Sequence, residues 1–119
     1  MRFMVLLRAE PDAQAAVLGA MAGGHAALAE AGVLLAGGGL RPPIEAATVR
    51  AVAPGRRLVD GSRGDTVSDV CGWWLLECAS ESEAIERLRR VGAPAGAVLE
   101  LREAVLPEPA AAAPAGGEA

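Results

Sequence analysis

Apolar and polar positions along this chain form short blocks that predict six strands and two helical regions. Apolar runs rich in Val and Leu predict the strands. Apolar residues that recur every three or four positions predict the helices. The predicted strands span residues 3–7, 33–36, 47–52, 57–59, 72–76 and 97–102. Their order is strand, helix, strand, hairpin, strand, helix and strand.

The first helical region follows Pro11, and Asp12 is predicted to accept N–H bonds at its start. Its glycines disfavour a helix, because each costs roughly 1 kcal/mol relative to Ala. We therefore expect either two short helices broken near Gly23 and Gly24 or one bent helix. Gly32 is predicted to end the region as a left-handed cap. The predicted buried stripe is Val17, Met21 and Leu28.

The second helix begins with a capping box, in which the Ser80 and Glu83 side chains bond reciprocally to the first turn. Gly92 is predicted to end this helix. Its charged side chains are interpreted as a solvated face. The apolar stripe predicted to face the core is Ala84, Ile85, Leu88 and Val91.

The segment at residues 58–77 carries the candidate site. Asp60 and Gly61 predict a sharp turn, because Gly61 tolerates a positive φ and Asp60 can bond to its own downstream backbone. A polar connection follows, and then an apolar strand that must be covered on both faces. Trp73 and Trp74 point to opposite faces of that strand. We expect one of them in the helix-side core and the other in the interior of a barrel.

The order of the elements predicts a ferredoxin-like α+β sandwich with an inserted β-hairpin and both helices on one face of the sheet. The other face would expose a large apolar patch in an isolated chain. Pairing two such faces across a two-fold axis forms a dimeric α/β barrel, so we expect a homodimer. The predicted domain spans residues 1–106, and residues 107–119 are predicted to be a disordered Ala/Pro-rich tail.

The length, net charge and apolar runs of the chain argue against nucleic acid and membranes as its partners. The chain of 119 residues has the size of one domain, and its net charge of -4 argues against nucleic-acid binding. No apolar run approaches the roughly 20 residues that a membrane span needs. The N-terminal apolar run is too short for a signal peptide and lacks a small-residue cleavage site. We therefore expect a cytoplasmic protein without a nucleic-acid or membrane partner.

Cys71 and Cys78 are predicted to be free core thiols. At the two ends of one strand their Cα atoms would lie ~23 Å apart at ~3.3 Å per residue, whereas a disulfide needs roughly 4.4–6.8 Å. One histidine and two cysteines give no ligand cluster, so we expect no metal site. The glycines at residues 37–39 lack the spacing of a phosphate-binding loop and are interpreted as a flexible rim or a bulge.

Four stretches within residues 1–106 resemble the YCII-related proteins, in the subgroup named for an Asp-Gly-Pro-Phe motif. These stretches are MRFMVLL, AEAGVLLAGGGLRPP, ATVRAV and LVDGSRGDTVSDVCGWWLLE. Asp60 and Gly61 occupy the first half of the motif, and Ser62-Arg63 replaces its Pro-Phe. Asp65-Thr66 is similar to the Glu-Thr that usually follows.

The resemblance implies a dimeric α/β barrel, which agrees with the pattern of elements. It also implies cofactor-independent lyase or isomerase chemistry on small rings, dehydrochlorination included, with an Asp and a His as the catalytic pair. In this chain the candidates for that pair are Asp60 and His25, although His25 does not occupy the family's position.

Each candidate residue has a functional and a structural interpretation. Asp60 is either a general base, with a carboxyl pKa raised by desolvation beside a Trp, or only a turn-former. Arg63 either binds a substrate carboxylate or enolate or pairs with a neighbouring Asp. His25, the single histidine, either transfers protons or is an exposed or locally bonded helical residue. Substrate contacts are predicted for Arg63, Asp65, Trp73 and Trp74.

Two classes of function remain open at this stage. The first is a cofactor-free lyase, isomerase or cyclase that acts by general acid–base chemistry on a small cyclic or enolisable metabolite. A cofactor-free monooxygenase is a variant of this class. The second is a non-catalytic homodimer that binds a small ligand or serves as an accessory protein.

Overall fold

A computed structural model of the chain describes the backbone of residues 1–53, 56–63 and 69–105, and the side chains of residues 1–47 and 69–105. Within these ranges the predicted order of elements is confirmed. The strands are β1 (Arg2–Arg8), β2 (Leu34–Gly39), β3 (Ala47–Ala53), β4 (Arg56–Arg63), β5 (Val70–Glu77) and β6 (Val98–Glu103). The helices are α1 (Gln14–Glu30) and α2 (Glu81–Arg89), and short 3₁₀ turns lie at Pro11–Ala13 and Pro43–Glu45.

Four strands form one antiparallel sheet in the order β2-β5-β1-β6, and β3 pairs with β4 in a separate two-stranded sheet. Helix α1 connects β1 to β2 on either side of β5, and α2 connects β5 to β6 on either side of β1. Two such split β-α-β units make a ferredoxin-like α+β sandwich. The prediction of a small α+β fold with an inserted hairpin is therefore confirmed.

Helix α1 is a single helix of 17 residues that runs through Gly23 and Gly24 without interruption. The predicted break is absent because Gly24 faces the core at a point of close approach. A Cβ there would lie 2.8 Å from Cη2 of Trp74 and 2.7 Å from Cγ1 of Val91. Packing of the Trp74 ring against the bare helix backbone offsets the low helix propensity of glycine.

The two ends of α1 differ in how well they were predicted. Gly32 has φ 78, its N–H donates to the Ala29 carbonyl at 3.0 Å, and the Val33 N–H donates to the Leu28 carbonyl at 3.2 Å. These two bonds form a Schellman motif, so the left-handed cap is confirmed. The prediction that Asp12 caps the start is wrong, because Asp12 lies inside the 3₁₀ turn and no side chain caps that turn or α1.

Helix α2 begins as its capping box predicts. The Glu83 N–H donates to Oγ of Ser80 at 3.1 Å, and Oε1 of Glu83 accepts from the Ala79 N–H at 2.6 Å. In the reciprocal bond of this capping box, the donor to Glu83 is thus the N–H of Ala79, one residue before the cap, rather than the N–H of Ser80. Gly92 has φ 72 just beyond the helix and allows the chain to turn away.

The helices cover one face of the main sheet. The core on that side comprises Phe3, Val5, Leu7, Val17, Met21, Leu28, Trp74, Leu76 and Ala84. Trp74, which pairs with Val5, is 1% exposed and packs beneath α1. Trp73, which pairs with Leu6, points to the opposite face. The prediction that the two tryptophans face opposite ways is confirmed, and Trp74 is the one in the helix-side core.

The second face of the main sheet is apolar, and neither helix packs on it. Its centre is formed by Met4, Leu6, Trp73 and Leu75, which alternate with the core residues along β1 and β5 and remain partly exposed. We call these four residues the open face. An alternation of this kind leaves one surface of a sheet to be covered by something other than the two helices.

Two glycine-containing segments differ from their predictions. Residues 37–39 belong to β2 rather than to a loop, because their backbone pairs with Gly72, Trp73 and Trp74.

The sharp turn predicted at Asp60-Gly61 is wrong, since β4 continues through both residues to Arg63. Val59 pairs with Val49, and Arg63 pairs with Ala47. Between these two pairs the chain advances four residues along β4 but only two residues along β3. The Asp-Gly pair therefore lies in a bulged stretch of strand.

Cys71 and Cys78 are free and buried, as predicted. Desolvation raises the pKa of both thiols, which keeps them protonated and unreactive. In the part of the chain that the structure describes, no helix combines the length and apolarity of a membrane span. The predicted tail at residues 107–119 lies outside the described residues.

Candidate functional site

An open groove of about 500 Å³ lies between α1 and β2. Gly37 and Gly39 face α1 and carry no side chains, so β2 presents bare backbone to the groove at these positions. Among the residues that the structure describes, no acidic or basic side chain other than His25 lines the groove. Its lining residues are Leu18, Met21, Ala22, His25, Ala26, Gly37, Gly38 and Gly39.

The floor of the groove is an edge of the main sheet. β2 is the outermost strand of that sheet and pairs with β5 along its inner side. Gly39 approaches α1 so closely that a Cβ on it would lie 2.9 Å from Cδ2 of Leu18. The wall formed by α1 is apolar, and the groove is therefore a flat slot with hydrophobic sides rather than a charged cleft.

His25 supplies the titratable group of this groove. It is half-buried on α1, one residue after the point where Gly24 packs against Trp74. Its imidazole has no hydrogen-bond or ion-pair partner in the described part of the chain. Both ring nitrogens are thus available to a ligand.

The Trp74 indole lies next to Gly37, a residue that lines the groove, and next to Gly24 on α1. A Cβ on Gly37 would overlap Cδ1 of Trp74 and would lie 3.3 Å from its Nε1. Nε1 is buried and has no hydrogen-bond partner within the described residues. An unsatisfied buried donor of this kind costs about 1–3 kcal/mol, so it is a feature that requires an explanation.

A charged cluster joins the ends of three strands beside the open face. Nη2 of Arg8 lies 2.9 Å from Oδ2 of Asp69, and its Nη1 lies 3.0 Å from Oε1 of Glu100. The hydrogen bond from Arg8 lowers the pKa of Asp69, and the same bond raises the pKa of Arg8. The Asp69 carbonyl also accepts from the Ala9 N–H at 2.8 Å. This cluster holds the start of β5 against β1.

The structure brings together some of the predicted site residues and separates others. His25 and Trp74 lie on the helix side of the sheet at the groove, whereas Trp73 belongs to the open face. Asp60 and Arg63 are on β4, which contacts the 3₁₀ turn at Pro43–Glu45, and their side chains lie outside the described residues. Asp65 lies outside them altogether.

Gly37, Gly38 and Gly39 line the groove, which their pattern in the sequence does not predict. Three successive glycines without the spacing of a phosphate-binding loop predict only a flexible rim or a bulge. A signal was nevertheless present. Glycine inside a strand marks a place where another group approaches the backbone closely, and here that group is the Trp74 ring.

Comparisons with known proteins include a structural likeness to an enzyme of known activity. No protein-family model matches the chain, and no curated protein matches it. Among solved structures, the chain is similar to 5-chloro-2-hydroxyhydroquinone dehydrochlorinase from Burkholderia phenoliruptrix AC1100, in complex with 2,5-dihydroxybenzoquinone. The identity is 17%, the TM-score is 0.41, and the match covers 84% of this chain and 91% of the other. A likeness at this level assigns no function to this chain.

Proposed function

We propose that this protein is a homodimeric, cofactor-free lyase or isomerase of the YCII-related type. In this proposal it binds a small cyclic or enolisable metabolite in the groove between α1 and β2 and moves a proton by general acid–base chemistry. The observation that carries the proposal is the position of His25, which places an unpaired imidazole in an otherwise apolar slot.

The groove suits proton transfer to and from carbon. A general base must be able to approach the substrate proton, and the His25 imidazole lines the groove in which the substrate is proposed to bind. The apolar walls limit the water that competes for the proton. The absence of charged side chains among the lining residues favours a substrate that is neutral when it binds.

Asp60 is proposed as the carboxylate that acts with His25. Support comes from the chain path: β4 contacts the 3₁₀ turn at Pro43–Glu45, and this turn follows Gly39 at the end of the groove by only a few residues. A carboxylate beside an imidazole selects its tautomer and stabilises its protonated form.

The proposed dimer joins two open faces. Met4, Leu6, Trp73 and Leu75 form a contiguous apolar surface, and a second copy of the same chain offers an equal surface in return. Burial of such a patch is favourable at roughly 25 cal/mol per Å² of apolar area. The groove lies on the other side of the sheet, so pairing of the open faces leaves it accessible.

Exchange of the methyl protons of acetophenone in D₂O tests the proposed chemistry. Acetophenone is a small, neutral, enolisable ring compound, and exchange reports proton removal and return without any cofactor. We expect His25→Gln to slow the protein-dependent exchange by at least about 100-fold, the lower end of what general acid–base catalysis contributes. Proton NMR follows the loss of the methyl signal.

Two further variants complete the experiment. Glu30→Gln lies on α1 but does not line the groove, and it should exchange at the wild-type rate. Asp60→Asn should slow exchange while circular dichroism stays unchanged. Unchanged exchange in folded His25→Gln would contradict the proposed role of the imidazole.

The second candidate function is ligand binding without catalysis. The groove is open, and no carboxylate of the described residues bonds to His25, both of which suit a binding site. A chain that binds acetophenone but never exchanges its protons would favour this candidate over the first.

A further inference from the structure

The buried indole N–H of Trp74 is a donor without an acceptor among the described residues. Its ring lies between Gly37 on β2 and Gly24 on α1. We propose that this N–H is a ligand-binding group: the groove takes a planar molecule whose carbonyl or enolate oxygen accepts a hydrogen bond from Nε1 of Trp74. The inference deepens the proposed function and uses its groove, but it concerns binding and stands separately from proton transfer.

The contacts of two glycines orient the indole ring. The Cδ1–Nε1 side of the ring is the part nearest to Gly37 on β2. The Cζ2–Cη2 side is nearest to Gly24 on α1, where a Cβ would lie 3.1 Å and 2.8 Å from those two atoms. The ring edge that carries the N–H therefore spans the gap from β2 to α1, and Nε1 lies beside Gly37, which lines the groove.

Met21 connects the groove to the indole. Its side chain lines the groove and also lines the small apolar cavity that Trp74 borders. A thioether with three rotatable bonds changes its rotamer at low cost, so its movement opens a path from the groove to Nε1. Because less than 1 Å² of Nε1 is exposed in the unliganded chain, the ligand oxygen enters by this movement rather than by landing on open surface.

The lining of the groove defines the chemical class of the ligand. Bare backbone at Gly37 and Gly38 accepts a flat ring, and the apolar wall of α1 favours a neutral one. The ligand must carry an acceptor oxygen, because Trp74 only donates. A cyclic or aryl ketone, or its enol, has all three properties.

The hydrogen bond also acts in the proposed proton transfer. When the imidazole of His25 takes a proton from the carbon next to the carbonyl, the C–H electron pair forms the C=C bond and negative charge moves to the oxygen. The Trp74 N–H then donates to an enolate rather than to a ketone, and that hydrogen bond is the stronger of the two. Return of the proton from His25 restores a neutral ligand and a neutral imidazole.

Indole NMR signals test the inference directly. The chain has two tryptophans, so the ¹⁵N-labelled protein shows two indole N–H cross-peaks, and Trp73→Phe identifies which belongs to Trp74. The probe is acetophenone, and the matched control is α-methylstyrene, in which CH₂ replaces the carbonyl oxygen. We expect acetophenone to move the Trp74 indole proton downfield, α-methylstyrene to leave it without such a shift, and the Trp73 signal to stay unchanged.

Other results would overturn the inference. Equal shifts with both probes would mean that the ring packs in the groove without a hydrogen bond, and no shift with acetophenone would mean that Nε1 is not a ligand-binding group. In Trp74→Phe we expect acetophenone to bind about fivefold more weakly and α-methylstyrene to bind unchanged, the loss typical of one neutral hydrogen bond. If Trp74→Phe does not fold, the NMR titration of the wild-type protein with the two probes still tests whether Nε1 binds the ligand.

The same samples separate this inference from the proposed function. His25→Gln should keep the Trp74 shift and lose methyl-proton exchange. A Trp74 shift in a wild-type protein that exchanges no protons would support the binding inference and refute the catalytic one. Methyl-proton exchange without a shift of the Trp74 signal would support the catalytic proposal and refute the binding inference.

Discussion

Single glycines on α1 have different consequences although they are neighbours in the sequence. A Cβ at Gly23 meets no atom within 4 Å, whereas a Cβ at Gly24 meets both Val91 and Trp74 closer than 3.0 Å. The same residue type thus weakens the helix at one position and permits core packing at the next. At Gly23 a side chain would change only the helix propensity of the backbone, whereas at Gly24 it would clash with neighbouring side chains.

This contrast predicts opposite effects of the same substitution. Gly23→Ala should stabilise the protein by up to ~1 kcal/mol, because alanine restricts the unfolded chain and favours the helix. Gly24→Ala should destabilise it by about 1–3 kcal/mol, because the added methyl group forces Trp74 or Val91 to move. Urea denaturation measures both values. Two changes of the same sign would show that Trp74 does not pack against α1 as described.

At the scale of elements, the ion pairs of Arg8 link β1 to the start of β5 and to β6. The side chains are partly exposed, so their contribution to stability is modest and falls as salt is added. Their position is more informative than their strength. They form the polar border of a sheet whose centre is apolar on both faces.

The pKa of Asp69 reports on this link. Folding lowers that pKa through the hydrogen bond from Arg8, so the pair contributes stability above the ordinary carboxyl pKa and loses it as the pH falls through the lowered value. Arg8→Gln should return the Asp69 pKa toward its ordinary value and remove this part of the acid sensitivity. Carbon-detected NMR titration measures the pKa. Arg89→Gln, which breaks an exposed pair on α2, is the control and should leave it unchanged.

The main sheet presents two different surfaces on its opposite sides. The helix side carries the groove that His25 lines, and the open face carries the apolar residues proposed to meet a second copy. Since Trp73 and Trp74 are adjacent in β5, a single strand contributes to both surfaces. Dimer formation and ligand binding are therefore expected to respond to different substitutions.

Sedimentation equilibrium tests the proposed assembly. We expect the wild-type protein to behave as two chains of 12.0 kDa each, and Trp73→Lys to behave as one, because a buried lysine without a partner opposes association. Ile85→Lys replaces an exposed apolar residue on α2, on the other side of the sheet from the open face, and should remain dimeric. A wild-type chain that sediments as a monomer would refute the homodimer.

Local physical rules account for what was predicted correctly. Alternating apolar residues defined β1 and β5, and the left-handed glycine at Gly32 and the Ser80 cap follow from backbone bonding within a few residues. Two of the wrong predictions, a turn at Asp60-Gly61 and a break near Gly23 and Gly24, share a cause. In both cases a local preference of glycine was overruled by pairing or packing with residues distant in sequence.

The amino-acid sequence by itself determined the order of elements, the glycine cap that ends α1, the serine cap that begins α2 and the opposite orientation of the two tryptophans, because each depends on neighbours along the chain. Only the tertiary structure decided that Trp74 rather than Trp73 lies beneath α1, that residues 37–39 form an edge strand, and that His25 borders a groove with them. These facts depend on which side of the sheet the helices occupy and on which strand lies at its edge. Both are set by burial of the whole core, and no short stretch of sequence contains that information.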